Sequence, residues 1–247
     1  MTENRNSASI SGSGKIAGGI YDRVSISGAG KVTGDVTANE VHVSGVAKIE
    51  GETHAHKVTA SGSASFADSV VAEDELRVSG SAKVTGDARA KELKCSGSFS
   101  VSGSVASDYV KSSGSLQVGG SLEAEIFRAT GGFRIAGLLS ADHIEIRLGG
   151  RCEAGEIGGE RIEVRRGGWK DKGLLVEGLM RMVSGGGVAE LRATQIEGDE
   201  IALEATRATV VRGKRVSIGP GCEIERVEYS ESLEIHPDAR VDEQTKM

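Results

Sequence analysis

Apolar and polar residues alternate with a period of two along most of the chain. In the stretch that begins at Leu76, the odd positions are Leu, Val, Gly or Ala, whereas the residues between them include Arg77, Lys83 and Asp87. Such alternation is typical of strands with one buried face and one solvated face. This region does not show the roughly 3.6-residue period of a helix, so the pattern predicts an all-β chain.

The alternation is organised into units of 17 or 18 residues. In the first seven units a glycine stands at the fifth position, and a second glycine, replaced once by Asp68, stands at the eleventh. Glycine suits corners because it adopts positive φ without steric cost. The residues that open successive units are Val24, Val41, Val58, Leu76, Leu93, Val110, Phe127 and Ile144.

One turn of a coil per unit satisfies both patterns. Each short strand then pairs in parallel with its equivalent in the next turn, ~4.8 Å along the axis. Residues at odd positions of a unit, counted from its opening residue, point into a narrow lumen, and residues at even positions face water. The sequence therefore predicts a single-stranded parallel β-helix with about 17 residues per turn, a solenoid in which each turn contacts its neighbours.

The regularity divides the chain into five expected segments. They are a disordered N-terminal tail (1–7), a regular β-helix (8–160), irregular turns with an inserted loop (161–195), a β-helix continuation (196–241) and a C-terminal tail (242–247). Pro220 and Pro237 are expected at corners, because proline inside a ladder removes a hydrogen-bond donor.

Composition narrows the classes of function. The chain has 36 Gly, 4 Phe, 3 Tyr and 1 Trp, which fits a narrow lumen better than a core built on large rings. A net charge of −6 argues against a dedicated nucleic-acid or anionic-membrane surface. Met1 to Ser7 is polar, so we expect no signal peptide. Three scattered cysteines favour a reducing cytoplasm over a disulfide scaffold.

One short motif resembles the end of a phosphate-binding loop. It is GSGK at Gly12–Lys15, but Ile16 stands where a P-loop has Ser or Thr, and no strand-to-helix context follows. The next unit has GAGK at the same phase, Gly28–Lys31. We therefore interpret the motif as a repeat corner.

No catalytic, cofactor or metal site is expected. His54 and His56 share the outward parity, but two ligands without a third make a weak metal site, so we interpret both as solvated side chains. The serines recur at the fourth position of each unit, which is a structural role. The cysteines lack CxxC spacing and a paired histidine, and we expect inert thiols at Cys95, Cys152 and Cys222.

Several phrases of the repeat resemble the bactofilin family of bacterial polymer-forming cytoskeletal proteins. They are KVTGDVTANEVHVSG (Lys31–Gly45), KVTGDARAKELKCSG (Lys83–Gly97), GLLSADHIEIRLGG (Gly137–Gly150) and SIGPGCEIERVEYSESLEI (Ser217–Ile235). The resemblance covers nearly the whole chain and is strongest over 24–160. The length and the broken second half resemble a longer variant found in spore-forming Gram-positive bacteria.

The resemblance implies a right-handed β-helix that joins end to end into filaments without nucleotide. It implies a cytoplasmic scaffold for cell-shape, envelope or appendage assembly, whose partners are itself and other cytoskeletal or envelope-assembly proteins. The chain has no apolar N-terminal stretch, which argues against direct membrane association and leaves contact with the inner face of the membrane to partners.

The two ends of a β-helix are open sheet edges, which invite pairing unless they are capped or charged. We see no capping helix at either end, and the repeat already begins at Ala8. We therefore expect end-to-end association through the terminal turns, with a polymerisation interface that includes Ile10, Ile16, Leu233 and Ile235.

A basic cluster interrupts the repeat between Arg161 and Lys172, with the only tryptophan inside it. Aromatic and arginine side chains anchor interfaces, so one interpretation is a loop at Gly167–Gly173 that docks a partner. The other interpretation is a solvated loop. The candidate partner-docking residues are Arg165, Arg166, Trp169 and Lys170.

Three function classes compete. A self-assembling scaffold without enzymatic activity fits the regular turns and open ends best. A hexapeptide-repeat acyltransferase would also coil, with glycines six apart, but it requires a six-residue aliphatic phase that is absent here. A carbohydrate-active β-helix would carry a groove of acidic or aromatic residues, whereas the outward faces here are Ser, Thr, Lys and Asp.

Overall fold

The computed structural model describes residues 6–167 and 189–247. Within these ranges the chain forms 19 strands and no helix. The strands are β1 (Ala8–Ile10), β2 (Ser13–Ile26), β3 (Ala29–Val43), β4 (Val46–Ile49), β5 (Thr53–Ala60), β6 (Ser63–Phe66), β7 (Val70–Val78), β8 (Ser81–Val84), β9 (Ala88–Cys95), β10 (Ser98–Val101), β11 (Val105–Ser112), β12 (Ser115–Val118), β13 (Leu122–Ala129), β14 (Gly132–Leu148), β15 (Cys152–Arg166), β16 (Leu191–Leu203), β17 (Thr206–Ile218), β18 (Glu223–Ile235) and β19 (Arg240–Lys246).

All strand pairings are parallel and join a residue to its equivalent one turn later. Val41 pairs with Val24 on one side and with Val58 on the other. The ladders run through about 13 turns of about 17 residues, which gives a rod about 60 Å long. The predicted parallel β-helix is confirmed.

Each regular turn contains three pairing segments. In the turn of β9 and β10 they are Ala88–Ala90, Glu92–Cys95 and Ser98–Val101. We call the surfaces formed by these segments and their equivalents the first, second and third faces. Lys91 lies unpaired at the corner between the first and second faces, and the Ser96–Gly97 corner separates the second from the third.

The lumen is filled by the inward residues of every turn. They form one continuous hydrophobic cluster from Ile10 to Val227. All four phenylalanines are inside it, and Phe127 meets Phe133 edge to face with ring centroids 5.4 Å apart. The column that starts at Ala38 consists mainly of alanine, because it passes close to the corner between the first and second faces.

Glycine at the corner between the second and third faces is required by close backbone approach. A Cβ on Gly97 would lie far inside 3.0 Å of the carbonyl oxygen of Gly80 in the preceding turn. The same conflict repeats at Gly28, Gly45, Gly62, Gly80, Gly114 and Gly131. The fifth-position glycines therefore set how closely the turns can stack.

The corner between the third and first faces is held by a ladder of side-chain acceptors. Asp87 accepts a hydrogen bond from the Ser104 N–H at 2.8 Å, and Ser104 accepts one from the Ser121 N–H at 3.2 Å. Equivalent bonds join Asp35 to Glu52 N–H, Ser69 to Asp87 N–H and Ser121 to Leu138 N–H. Where Asp68 replaces the eleventh-position glycine, it accepts from the Ser69 N–H itself at 2.8 Å.

The segment boundaries differ from those expected. Strand β15 runs past 160 to Arg166, and β16 begins at Leu191, within the segment expected to be irregular. The expected tail at 242–247 lies mostly in β19, which pairs with β18. Pro220 and Pro237 lie in turns, as predicted. Residues 1–5 and the expected loop beyond Gly167 lie outside the described residues.

We predict that Gly97→Ala lowers the free energy of unfolding by about 3 kcal/mol or more, because neither backbone of the stacked pair can yield without opening the ladder. Chemical denaturation followed by far-UV circular dichroism measures this change. The matched control is Gly12→Ala at the same corner of the first turn, where a Cβ meets nothing within 4 Å, and we expect a change within ~0.5 kcal/mol when both variants are compared as dispersed monomers. Equal effects of the two substitutions would contradict the argument.

A second prediction concerns Thr53, a buried residue in the column between Val36 and Val70 whose hydroxyl has no hydrogen-bond partner. Thr53→Val keeps the shape and removes the unsatisfied group, so we expect a gain of ~1 kcal/mol in the same denaturation assay. Thr206→Val is the control, because the Thr206 hydroxyl donates to the Glu204 carbonyl at 3.0 Å. A gain for Thr206→Val and none for Thr53→Val would overturn this interpretation.

Candidate assembly site

Within the described residues, the first turn of the solenoid has no strand paired on its outer side and is an open sheet edge. In the second turn, the N–H groups of Ser27, Gly28 and Ala29 bond to carbonyls of the first turn. At the equivalent corner of the first turn, the N–H groups of Ser11 and Gly12 donate no backbone hydrogen bond to a described residue. This edge also carries little charge, since Lys15 and Asp22 are the charged side chains of 6–22.

The C-terminal end is open in part. Strand β19 pairs with β18 from Glu223 to Tyr229 and leaves Ser232–Ile235 without a following strand. Leu233 and Ile235 are therefore only partly buried, although both point toward the lumen. Acidic residues border this end: Glu231, Glu234, Asp238, Asp242 and Glu243.

The four predicted interface residues lie in the terminal turns but are not equally accessible. Ile16, Leu233 and Ile235 are partly exposed over the lumen. Ile10 is only 7% exposed, since it occupies the space that Gly30 leaves beside Ile26. Ile10 thus fills the lumen, and it offers little surface for contact.

Sequence reasoning missed two features of these ends. Tyr21 partly covers the lumen at the head of the alanine column, and its hydroxyl donates to the Ala17 carbonyl at 2.8 Å. Gly12 has open space where every later glycine of its column meets a carbonyl. The sequence signal for the open space at Gly12 was that Gly12 and Gly28 occupy the same position in successive units.

The candidate partner-docking residues divide into two groups. Arg165 and Arg166 belong to β15: Arg165 pairs with Glu163, and the Arg166 N–H donates to Glu204 at 2.8 Å. The Arg166 guanidinium also covers Gly221 two turns on, where φ is +73°. Both arginines have contacts within the solenoid, and both remain exposed. Trp169 and Lys170 lie outside the described residues.

The other candidate chemistry stays dispersed. His54 and His56 are exposed, and His56 lies 2.7 Å from Glu73. Within residues 6–167 and 189–247, His, Cys, Asp and Glu side chains form no group of three or more that could hold a metal ion. The same ranges contain no helix that is long and apolar enough to cross a membrane.

The three cysteines are buried. Burial raises the pKa of each thiol, that of Cys152 to about 11. The protonated thiol is a poor nucleophile and metal ligand.

Comparison with known proteins identifies the repeat. A family model described as "Bactofilin: Polymer-forming cytoskeletal" matches residues 8–106. Residues 8–106 of the chain are thus similar to the bactofilin family.

Two curated relatives come from Bacillus subtilis (strain 168), and both are uncharacterized. YhbF is 50% identical over 58 residues, which cover 24% of this chain and 25% of the relative. YhbE is 51% identical over 57 residues, which cover 23% and 24% respectively. The match thus spans about a quarter of the length of either relative. No solved structure matches the chain.

The region matched by the family model also contains a structural ion cluster around Glu75, whose side chain is 13% exposed. Its carboxylate receives Arg77 at 2.6 Å, Lys57 at 3.0 Å and Lys94 at 3.2 Å, from three consecutive turns. Desolvation alone would raise the pKa of Glu75, but the hydrogen bonds from these cations outweigh it and lower the pKa to about 2. The cluster fastens the second face where the unit lengthens to 18 residues.

Beyond residue 106, ion pairs between successive turns of the solenoid stabilise the second face in the same way. Arg161 binds Glu200 at 2.6 Å, Glu200 also binds Arg215, and Arg215 binds Glu231 at 2.6 Å. The hydrogen bonds from Arg215 and then Arg161 lower the pKa of Glu200. The ladder runs across the interruption of the repeat, because Arg161 and Glu200 lie 39 residues apart in sequence.

The lowered pKa of Glu75 leads to a pH-dependent prediction. Its folded-state pKa is about 2, against 4.5 for an unperturbed glutamate. Its contribution to stability is therefore fully present above pH 4.5 and is lost as the pH falls through 2. We expect Glu75→Gln to lower the denaturation midpoint at pH 7 and to match the unmodified chain at the acid limit.

Glu40→Gln is the control for this prediction, because Glu40 faces one exposed cation, Arg23. We expect its effect to be small at every pH. A Glu75→Gln penalty that persists unchanged at the acid limit would contradict the assigned cause.

Proposed function

We propose that this chain is a structural scaffold that assembles end to end into filaments without a nucleotide. The family supports the coarse statement, since its members are described as polymer-forming and cytoskeletal. The end-to-end contact is argued from the terminal turns of this chain.

The observation that carries the proposal is the open corner at Gly12. At every later turn of this glycine column, the position of a Cβ is occupied by a carbonyl of the preceding turn. Gly12 has the same residue type and the same corner, but no preceding turn among the described residues. A second copy stacked on this edge would continue the ladder and make glycine necessary there as well.

The two ends differ in charge, which affects how copies meet. The N-terminal edge is nearly neutral, whereas acidic side chains border the C-terminal edge. Like charges repel more weakly as ionic strength rises. Contacts that involve two C-terminal ends should therefore strengthen with salt, and contacts through N-terminal ends should depend on it little.

The cellular role follows from the filament. Such a polymer would act in the cytoplasm in cell-shape, envelope or appendage assembly, with contact to the inner face of the membrane through other cytoskeletal or envelope-assembly proteins. The candidate partner-docking residues of this scaffold are Arg165, Arg166, Trp169 and Lys170.

We predict that Gly12→Ala abolishes N-terminal joints while the fold persists, because the added Cβ would meet the backbone of the stacked copy. Negative-stain electron microscopy without nucleotide, combined with sedimentation velocity, measures the outcome. If the variant forms discrete monomers, the filaments of the unmodified chain join N-terminal to C-terminal ends. If the variant forms discrete dimers, joints between two C-terminal ends remain. Ile16→Glu, a charge beside the same edge, should act in the same direction.

Gly150→Ala is the matched control, since Gly150 lies away from the ends and a Cβ there has ordinary contacts of 3.7 Å or more. Filaments of unchanged length in Gly12→Ala and Ile16→Glu would refute an N-terminal joint.

A further inference from the structure

The second face carries a column of cations in four consecutive turns. Arg77, Lys94, Lys111 and Arg128 are paired in register along the ladder, at ~4.8 Å intervals. Arg77, Lys94 and Arg128 each contact a carboxylate of the same face. Lys111 is exposed and forms no ion pair with the described residues. We call these four residues the basic column.

Two apolar side chains stand beside this column, also on the outer surface. Tyr109 and Ile126 are partly exposed and occupy a position that is charged in the turns before them, at Arg23, Glu40, Lys57, Glu75 and Glu92. Apolar groups flanked by charge are typical of the centre of an interface. The second face is thus suited to docking in these turns.

A column of opposite charge lies at the corner between the first and second faces. Asp108, Glu125, Asp142 and Glu160 occupy this corner in four consecutive turns, and all four are exposed. We call them the acidic ridge. None of them forms an ion pair or side-chain hydrogen bond with another described residue.

The same corner is bonded from turn to turn elsewhere. Asn39 donates to Asp22 at 2.7 Å, His56 lies 2.7 Å from Glu73, and Lys214 binds Asp199 at 2.8 Å. In the acidic ridge, like charges are stacked instead, which destabilises a ladder. Among residues 6–167 and 189–247, no side chain compensates for this arrangement.

We propose that the basic column docks laterally onto the acidic ridge of a second copy of this chain. The charges are complementary and each set spans four turns. Their repeat is the same ~4.8 Å, because both are set by strand spacing. An extended peptide repeats its side chains at about 6.6 Å on one side, so a second solenoid matches the ridge better. Tyr109 and Ile126 lie beside the contact and lose exposure.

This contact uses the sides of the solenoid and leaves the terminal turns free. It is heterologous, since one copy contributes its column and the other its ridge, and such contacts can repeat laterally. The lateral contact can therefore be tested separately from the end-to-end joint.

The test neutralises the ridge without breaking any ion pair between described residues. The variant is Glu125→Gln combined with Asp142→Asn. The control is Ser100→Lys combined with Gln117→Lys, which changes the net charge equally, in adjacent turns of the third face. Lateral association is measured by the width of filaments in micrographs and by sedimentation of the full chain at about 50 and 300 mM salt.

We expect the ridge variant to weaken lateral association by about tenfold at low salt, with a denaturation midpoint that is unchanged or raised because like-charge repulsion is removed. The control should associate like the unmodified chain. The proposal is overturned if the ridge variant and the unmodified chain associate equally, or if the unmodified chain shows no lateral association at low salt.

Zero-length cross-linking locates the contact. A carbodiimide joins lysine amines to carboxylates that touch, and mixing chains labelled with different nitrogen isotopes separates contacts between copies from those within one. We expect Lys94 or Lys111 joined to Glu125 or Asp142 of the other isotope. Cross-links between copies that involve only the terminal turns would refute the lateral contact.

Discussion

The structure depends on how closely one turn can lie upon the next. Parallel ladders demand a separation of ~4.8 Å, and at the glycine corner this brings one backbone against the carbonyl of the preceding turn. Glycine is the residue that permits this approach, so the corner recurs with a period set by the turn. The lumen, the outward columns and the open ends all follow from that stacking.

Most of the fold could be predicted from the sequence, because stacking leaves a periodic trace. Inward residues such as Val41 and Leu93 must be apolar in every turn, and the glycines of the fifth position cannot be replaced. The acceptor ladder at Asp87 and Ser104 was missed because its members are exposed polar residues, which look like solvated side chains. Its signal was their regular place after the eleventh-position glycine.

The candidate site was less predictable, because the terminal turns lack one of their neighbours. Ile10 is inward by parity, but its burial depends on the space left by Gly30. Most of strand β19 falls in the segment expected to be a tail, 242–247, where the strand has no sizeable apolar residue. The Glu75 cluster depends on cations from three turns that no short motif contains. In each case the deciding contact joins residues that are distant along the chain.

The account's central claim is that the stacking continues from one copy to the next. The most direct measurement is electron cryo-microscopy of the purified, unmodified chain without nucleotide. We expect filaments in which the ~4.8 Å ladder of each solenoid runs unbroken across a joint that contains Gly12. Discrete monomers or trimers at all concentrations, or filaments whose joints leave the terminal edges unpaired, would contradict the claim.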